Sequence, residues 1–262
     1  MDRRARRLVE PLARRVAPTR VRALKLQSPA GYALPCRLHL PPDEGPWPGV
    51  LLIAGGLDGA KKAESAEIVV SAQRLARAGF AAMVFSPSGR DDAPGVEDKN
   101  GPLHQEEGAE ALRLLLSLPE VRAVSVLSIS YGLVLAMGAL TRHPELAERV
   151  QGLMDWEGPG SRRWFLPVGF APGPGDEVFW RDREAAVMAP RLRCPYHRVQ
   201  SRWDHVHGPQ TGLALEMLRA ASGGDCPQIR LNGAPWLAGR ERWASAAELL
   251  QREAMVRWLA QG

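Results

Sequence analysis

Ser130 stands at the junction of two apolar segments of different character. Residues 124–129 read as a strand, and Tyr131 opens an apolar helix. Small residues, Ser128 and Gly132, lie two positions away on either side. This is the pattern of a sharp strand-to-helix turn that pushes one hydroxyl out at the top of a sheet. The flanks must be small because such a turn brings backbone close to backbone. The following helix aims its N-terminal N–H groups at the same spot, which favours negative charge there. The chemistry implied is attack of the Ser130 hydroxyl on a carbonyl carbon, giving an acyl-enzyme. The plainer reading of the same serine is a helix N-cap, a role serine fills well.

The elements that must position Ser130 can be read along the chain. Segments 20–27 and 32–40 are strands joined at Pro29-Ala30-Gly31, a hairpin. A short apolar strand at 50–54 ends in Gly55-Gly56, a helix is expected over 63–78, and a strand over 80–85. Strands at 121–127, 150–156, 195–200 and 228–231 then alternate with helices at 130–141, 177–188, 211–221 and 244–259. An antiparallel start followed by repeated crossovers implies an α/β fold with a mostly parallel central sheet and helices on both faces. The stretch 158–175, rich in Pro, Gly and aromatics, is the candidate for a small cap over the site, and no internal repeat is evident.

Composition bounds the function. The 262 residues suffice for one large domain with a well-buried core, and 45% apolar content fits a globular protein. No apolar run is long enough to span a bilayer. Three cysteines, Cys36, Cys194 and Cys226, cannot all pair and follow no metal spacing, so a cytoplasmic location is expected. The net charge of +5 is concentrated at one end: residues 1–25 carry nine Arg and Lys against Asp2 and Glu10, leaving the rest at −2. The body therefore offers no nucleic-acid surface. Residues 1–19 form a basic amphipathic helix, with Ala5, Leu8, Val9, Leu12, Ala13 and Val16 at helical spacing and Pro18 as a stop. Such a helix could lie on a membrane surface. Packing on its own body, or on a second copy in a homodimer, is the commoner use.

With these segments in place, the chain resembles the α/β-hydrolases over residues 20–262, and most of all the esterase and dienelactone-hydrolase-like branch. Three segments carry the likeness: the turn at Ser130, Ile53-Ala54-Gly55-Gly56-Leu57-Asp58-Gly59, and Val199-Gln200-Ser201-Arg202-Trp203-Asp204. Dienelactone hydrolases proper carry a Cys nucleophile where Ser130 stands here. The resemblance implies an oxyanion hole formed by the backbone N–H of Tyr131 and one from Gly56 or Leu57. It implies Asp204 as the acid that orients a histidine, with Asp155 and Glu157 as rivals, since some members place the acid one strand earlier. The plainer reading of Asp204 is a loop residue that caps the following helix.

The family takes its histidine from the loop after the last strand. Here that loop reads Leu231-Asn232-Gly233-Ala234-Pro235-Trp236-Leu237, and no histidine follows His207. Neither Pro235 nor Trp236 can accept a proton. His207, three residues beyond Asp204 and followed by Gly208, is taken as the base, with His205 and His104 as alternatives. A polar loop histidine without a role is the competing reading. Asp204-His205-Val206-His207 also invites a metal site, which the lack of a third ligand cluster argues against. Trp156, Trp164 and Trp236 are candidates for the substrate pocket, within an aromatic group that includes Phe165, Phe170, Phe179 and Trp180. Cap-to-core packing would explain them equally well.

The expectation is a serine hydrolase acting on a small-molecule carboxylic ester, with no metal or organic cofactor. The alternatives are a hydrolase-like fold that binds an acyl ligand or a partner without turnover, and a non-hydrolytic enzyme using the same oxyanion hole.

Overall fold

The computed structural model describes residues 18–68, 70–165 and 172–245, together with Leu259. The amphipathic segment up to residue 17, most of the helix expected over 244–259 and the centre of the cap-like stretch lie outside the described residues.

Among the described residues nine strands form one sheet: β1 (Arg20–Gln27), β2 (Ala33–Leu40), β3 (Trp47–Ile53), β4 (Ala81–Phe85), β5 (Val121–Ile129), β6 (Leu153–Trp156), β7 (Tyr196–Val199), β8 (Ile229–Leu231) and β9 (Ala234–Pro235). Their order is β1-β2-β4-β3-β5-β6-β7-β8-β9. From β4 to β8 every pairing is parallel, while β1–β2, β2–β4 and β8–β9 are antiparallel. The fold class read from the sequence is the one observed, including the N-terminal hairpin.

Alternation along the strands feeds two cores. Val50 and Leu52 of β3 join one cluster with Ala63 of α1 (Ala60–Glu64) and Leu75 of α2 (Ala72–Arg77). Leu51 and Ile53 face the other way, into a cluster with α3 (Pro102–Ser117) and α4 (Gly132–Arg142). Successive strand side chains point to opposite faces, so a strand covered on both sides must be apolar throughout.

Three expectations change. The helix read over 63–78 is two short helices, α1 and α2. The intervening Ile68-Val69-Val70 run is β-branched and loses rotamer freedom in a helix. Extended Ser71 then starts α2, its carbonyl accepting from Arg74 and Leu75. The helix read over 177–188 also divides, after α5 (Pro144–Ala147), into α6 (Glu177–Trp180) and α7 (Ala185–Met188). Between them the Asp182 carbonyl leaves the helical ladder to accept from Gln105 Nε2 at 2.7 Å. Finally, the loop after β8 is a hairpin: Asn232 and Gly233 both take positive φ, 49° and 83°, and turn the chain into β9. Asn-Gly is the preferred pair for such a turn.

Candidate active site

The parallel strands β3, β5, β6 and β7 end along one edge of the sheet. The chain leaves β3 toward β4 on one side, and β5 lies on the other, so this edge includes a topological switch point where open α/β sheets form a crevice. Ser130 is the first residue past β5. Its φ is +51°, the left-handed region that costs a residue bearing a side chain about 1–3 kcal/mol. The turn is held by the Ser130 N–H donating to the Trp156 carbonyl at 2.8 Å. Close approach explains the glycines around it. A Cβ on Gly132 would lie 2.4 Å from the Ala54 carbonyl oxygen, and one on Gly55 would lie 2.9 Å from the Ile129 carbonyl oxygen.

His205 is the imidazole within reach of this serine. Its Nε2 lies 3.1 Å from the Ser130 hydroxyl, and its Nδ1 lies 2.9 Å from a carboxylate oxygen of Glu157. A carboxylate can only accept, so Nδ1 carries the proton and Nε2 presents its lone pair to the hydroxyl. The face of Trp156 supports the ring at a centroid distance of 4.5 Å. Glu157 is itself the first residue past β6, buried, with φ of +49°. Its oxygens also accept from the Ser201 N–H at 2.9 Å, the Ser201 hydroxyl at 2.8 Å and the His205 N–H at 3.2 Å.

No protein-family model matches the sequence, and no curated protein matches it. Solved structures do match the fold. Dipeptidyl peptidase 4 of Porphyromonas gingivalis superposes with a TM-score of 0.68 at 15% identity, over 94% of this chain and 36% of that one. A puromycin-hydrolyzing peptidase of Mycobacterium tuberculosis gives 0.66 at 17% identity, over 93% and 39%. Brefeldin A esterase, a bacterial homologue of human hormone sensitive lipase, gives 0.60 at 15% identity, over 94% and 75%. The chain has the α/β-hydrolase fold. At these identities the likeness is one of fold, and the chain spans well under half the length of the two peptidases.

Within the α/β-hydrolase fold, several of the residues singled out from the sequence have other surroundings than expected. His207 lines a cavity beside Ser130, but the hydrogen bond to the Ser130 hydroxyl belongs to His205: the His207 ring stands edge-on to Trp164 at 5.8 Å, and its N–H is held by Asp204. Asp204 shapes the loop instead. One of its oxygens accepts from the N–H groups of Val206 and His207, both at 2.9 Å, and its backbone pairs with Gly208. This folded loop is what presents His205, while the Asp204 carboxylate stays 4.0 Å from the His205 ring. His104 is buried among Ser88, Asp98 and Asn100, accepts from the Asn100 N–H, and is pushed toward its neutral form by burial. Asp155 lies beneath the site, accepting from the Tyr196 hydroxyl at 2.6 Å and paired with buried Arg198. Trp236 packs against the hydrophobic core, because β9 folds back on β8 and draws that segment away from the sheet edge.

Residues not anticipated from the sequence brace the site from below. Buried Arg90 donates to the Asp58 carbonyl at 3.2 Å and to Asn100 Oδ1 at 2.8 Å, and Asn100 donates to the Tyr131 carbonyl at 2.8 Å. One guanidinium thus ties the 55–59 loop to the residue after Ser130. On the other side, Arg198 grips Gln200, whose amide donates to Glu157 at 3.3 Å and to Asp204 at 3.1 Å. Both arginines read as surface residues in sequence, and their burial, with Glu97 beside Arg90 and Asp155 beside Arg198, appears only in the fold.

Glu157, Asp204 and His205 each offer one ligand atom within 4.8 Å of the others. Their atoms are taken up by the hydrogen bonds described above.

Two cavities flank Ser130. One, of about 200 Å³, is walled mainly by Tyr131, Pro159, Trp164, Phe165, Val206 and Leu213, with Glu157, Asp204 and His207 also in its lining. The other, of about 320 Å³, is lined by Trp156 and His205 together with Asp58, Lys62 and Glu67. Gly56 and Ser130 border both. The Leu57 side chain packs half-buried against the core.

Proposed function

We propose that the protein is a serine hydrolase that cleaves a carboxylic ester of a small molecule through an acyl-enzyme. Ser130 is the nucleophile, His205 the general base and Glu157 the acid that orients it. The observation that carries this reading is the single imidazole bridging the Ser130 hydroxyl and the Glu157 carboxylate.

The steps follow from that geometry. As the Ser130 oxygen attacks the carbonyl carbon, its proton passes to His205 Nε2. The imidazolium so formed is paired with Glu157 through Nδ1. Negative charge on the carbonyl oxygen falls to the Tyr131 N–H and one from Gly56 or Leu57, with the N-terminus of α4 behind them. His205 then gives the proton to the departing alkoxide, and a water molecule, activated by the same imidazole, hydrolyses the acyl-enzyme. In this scheme base and acid come from the loops after β7 and β6. The non-histidine segment at Pro235-Trp236 therefore leaves no gap in the catalytic set.

Cys36, Cys194 and Cys226 carry free thiols, which supports the reducing, cytoplasmic setting. Among the described residues no helix is long and apolar enough to cross a membrane.

The test is turnover of short p-nitrophenyl esters by the protein and by Ser130→Ala. Ester cleavage that disappears in Ser130→Ala is expected. Equal rates in the two proteins would overturn the proposal.

A further inference from the structure

We propose that the two cavities divide the substrate, so that the smaller, apolar one accepts an acyl group of about ring size and the larger, charged one accepts a polar alcohol portion. This rests on the assignment of Ser130 and His205 above. His205 must protonate the departing oxygen, so the alcohol portion lies on the side that His205 faces. The His205 ring lines the larger cavity and is not part of the smaller cavity's wall. The carbonyl carbon sits at Ser130 on the border between the two spaces, which leaves the smaller cavity for the acyl group.

The linings agree with that division. The smaller cavity takes most of its walls from Tyr131, Pro159, Trp164, Phe165, Val206 and Leu213, and Glu157, Asp204 and His207 also line it. The polar atoms of these aromatics are turned elsewhere: the Tyr131 hydroxyl donates to the Lys99 carbonyl at 2.7 Å, and the Trp164 indole donates to Glu216 at 2.6 Å. The Glu157 and Asp204 oxygens on its wall are engaged by Ser201, His205, Val206 and the His207 N–H, so apart from the His207 ring the pocket presents mainly ring faces and aliphatic carbon to its contents. The larger cavity carries Asp58, Lys62 and Glu67 beside the apolar Ala54, Ile68, Ile129 and Trp156, and the Lys62 and Glu67 side chains are 43% and 84% exposed. A polar group there keeps its contact with water, so it loses little on binding.

Volume sets the size of the acyl group. An apolar protein cavity of about 150 Å³ holds benzene. The smaller cavity, at about 200 Å³, matches a benzoyl group or a chain of about six carbons. An acetyl group leaves most of it empty, and a dodecanoyl chain exceeds it. Each apolar carbon that enters raises kcat/KM by up to about fourfold, so the preference is steep until the space is full.

The experiment is a series of p-nitrophenyl esters, acetate, hexanoate, benzoate and dodecanoate, run beside labelling of Ser130 with a small alkyl fluorophosphonate. The expected profile has kcat/KM for hexanoate or benzoate at least about tenfold above both acetate and dodecanoate. Leu213→Ala, which enlarges the pocket, should raise dodecanoate relative to hexanoate by about tenfold. Phe165→Ala is the second variant, should the first fail to fold. Stoichiometric labelling of Ser130 with a profile that is flat, or that climbs through dodecanoate, would overturn the division of the substrate alone. Failure to label Ser130 would overturn the catalytic assignment beneath it as well.

Discussion

Ser130 and Glu157 stand one strand apart at the same level of the sheet. Each is the first residue past its parallel strand, and each holds a left-handed φ, 51° and 49°. The Ser130 N–H bonds to the Trp156 carbonyl, just before Glu157, and the Glu157 N–H bonds in turn to the Val199 carbonyl. Two strained residues are thus stapled across neighbouring strand ends, and the His205 ring spans the gap between their side chains.

The strain at Ser130 predicts a separation of stability from activity. Glycine adopts positive φ freely, whereas alanine keeps the cost. Ser130→Gly should be more stable than Ser130→Ala by about 1 kcal/mol, measured from urea midpoints, with both variants inactive. Equal midpoints would show that the turn stores no strain.

Glu157→Gln should damage catalysis more than binding. The amide can donate to Nδ1 and so favour the tautomer that leaves no lone pair toward Ser130. By precedent with a triad aspartate, kcat should fall by about 10³- to 10⁴-fold with KM changed only a few-fold. Asp204→Asn is the control. The Asp204 carboxylate holds the 204–208 loop rather than the imidazole, so kcat should fall much less. Steady-state kinetics on the two variants decide between them.

Arg90 predicts an effect at a distance. Lysine cannot reproduce its fork, so Arg90→Lys frees the 55–59 loop from the segment that carries Tyr131. Misplacing the oxyanion donors by a fraction of an ångström should lower kcat by about 10- to 100-fold and leave KM within a few-fold. A rise in KM with kcat unchanged would contradict the bracing role.

How much of this was legible in the sequence follows from which signals are local. The turn at Ser130 is written in six neighbouring residues, and the parallel sheet in the alternation of apolar strands and helices. The base was harder to read because His205, His207 and Asp204 share one loop, and only the folded backbone shows which ring turns inward. Asp204, the obvious carboxylate at that strand end, spends its oxygens on the loop. Glu157 carried a usable signal: an acidic residue directly after an apolar strand, in the position Ser130 holds on β5. The Asn232-Gly233 turn was a second missed signal, since it folds the segment after β8 into β9.

Stability should depend on pH through His197. Burial pushes its pKa down from 6.5 to about 4, and its Nε2 accepts the Gly233 N–H, a bond available only to the unprotonated nitrogen. The unfolded chain binds the proton below about pH 6.5 while the folded chain does not, so stability falls as pH drops from 6.5 toward 4. The full displacement corresponds to roughly 3 kcal/mol. His197→Gln, which keeps an acceptor without a titrating ring, should flatten the midpoint-against-pH curve over that interval.

The choice of base is tested most directly by the rate at which a fluorophosphonate labels Ser130 in His205→Ala and in His207→Ala, followed by intact mass. Labelling within a few-fold of the unmodified protein's rate is expected in His207→Ala, and a rate at least about 10³-fold slower in His205→Ala. Undiminished labelling of His205→Ala, or loss of labelling in His207→Ala, would contradict that choice of base.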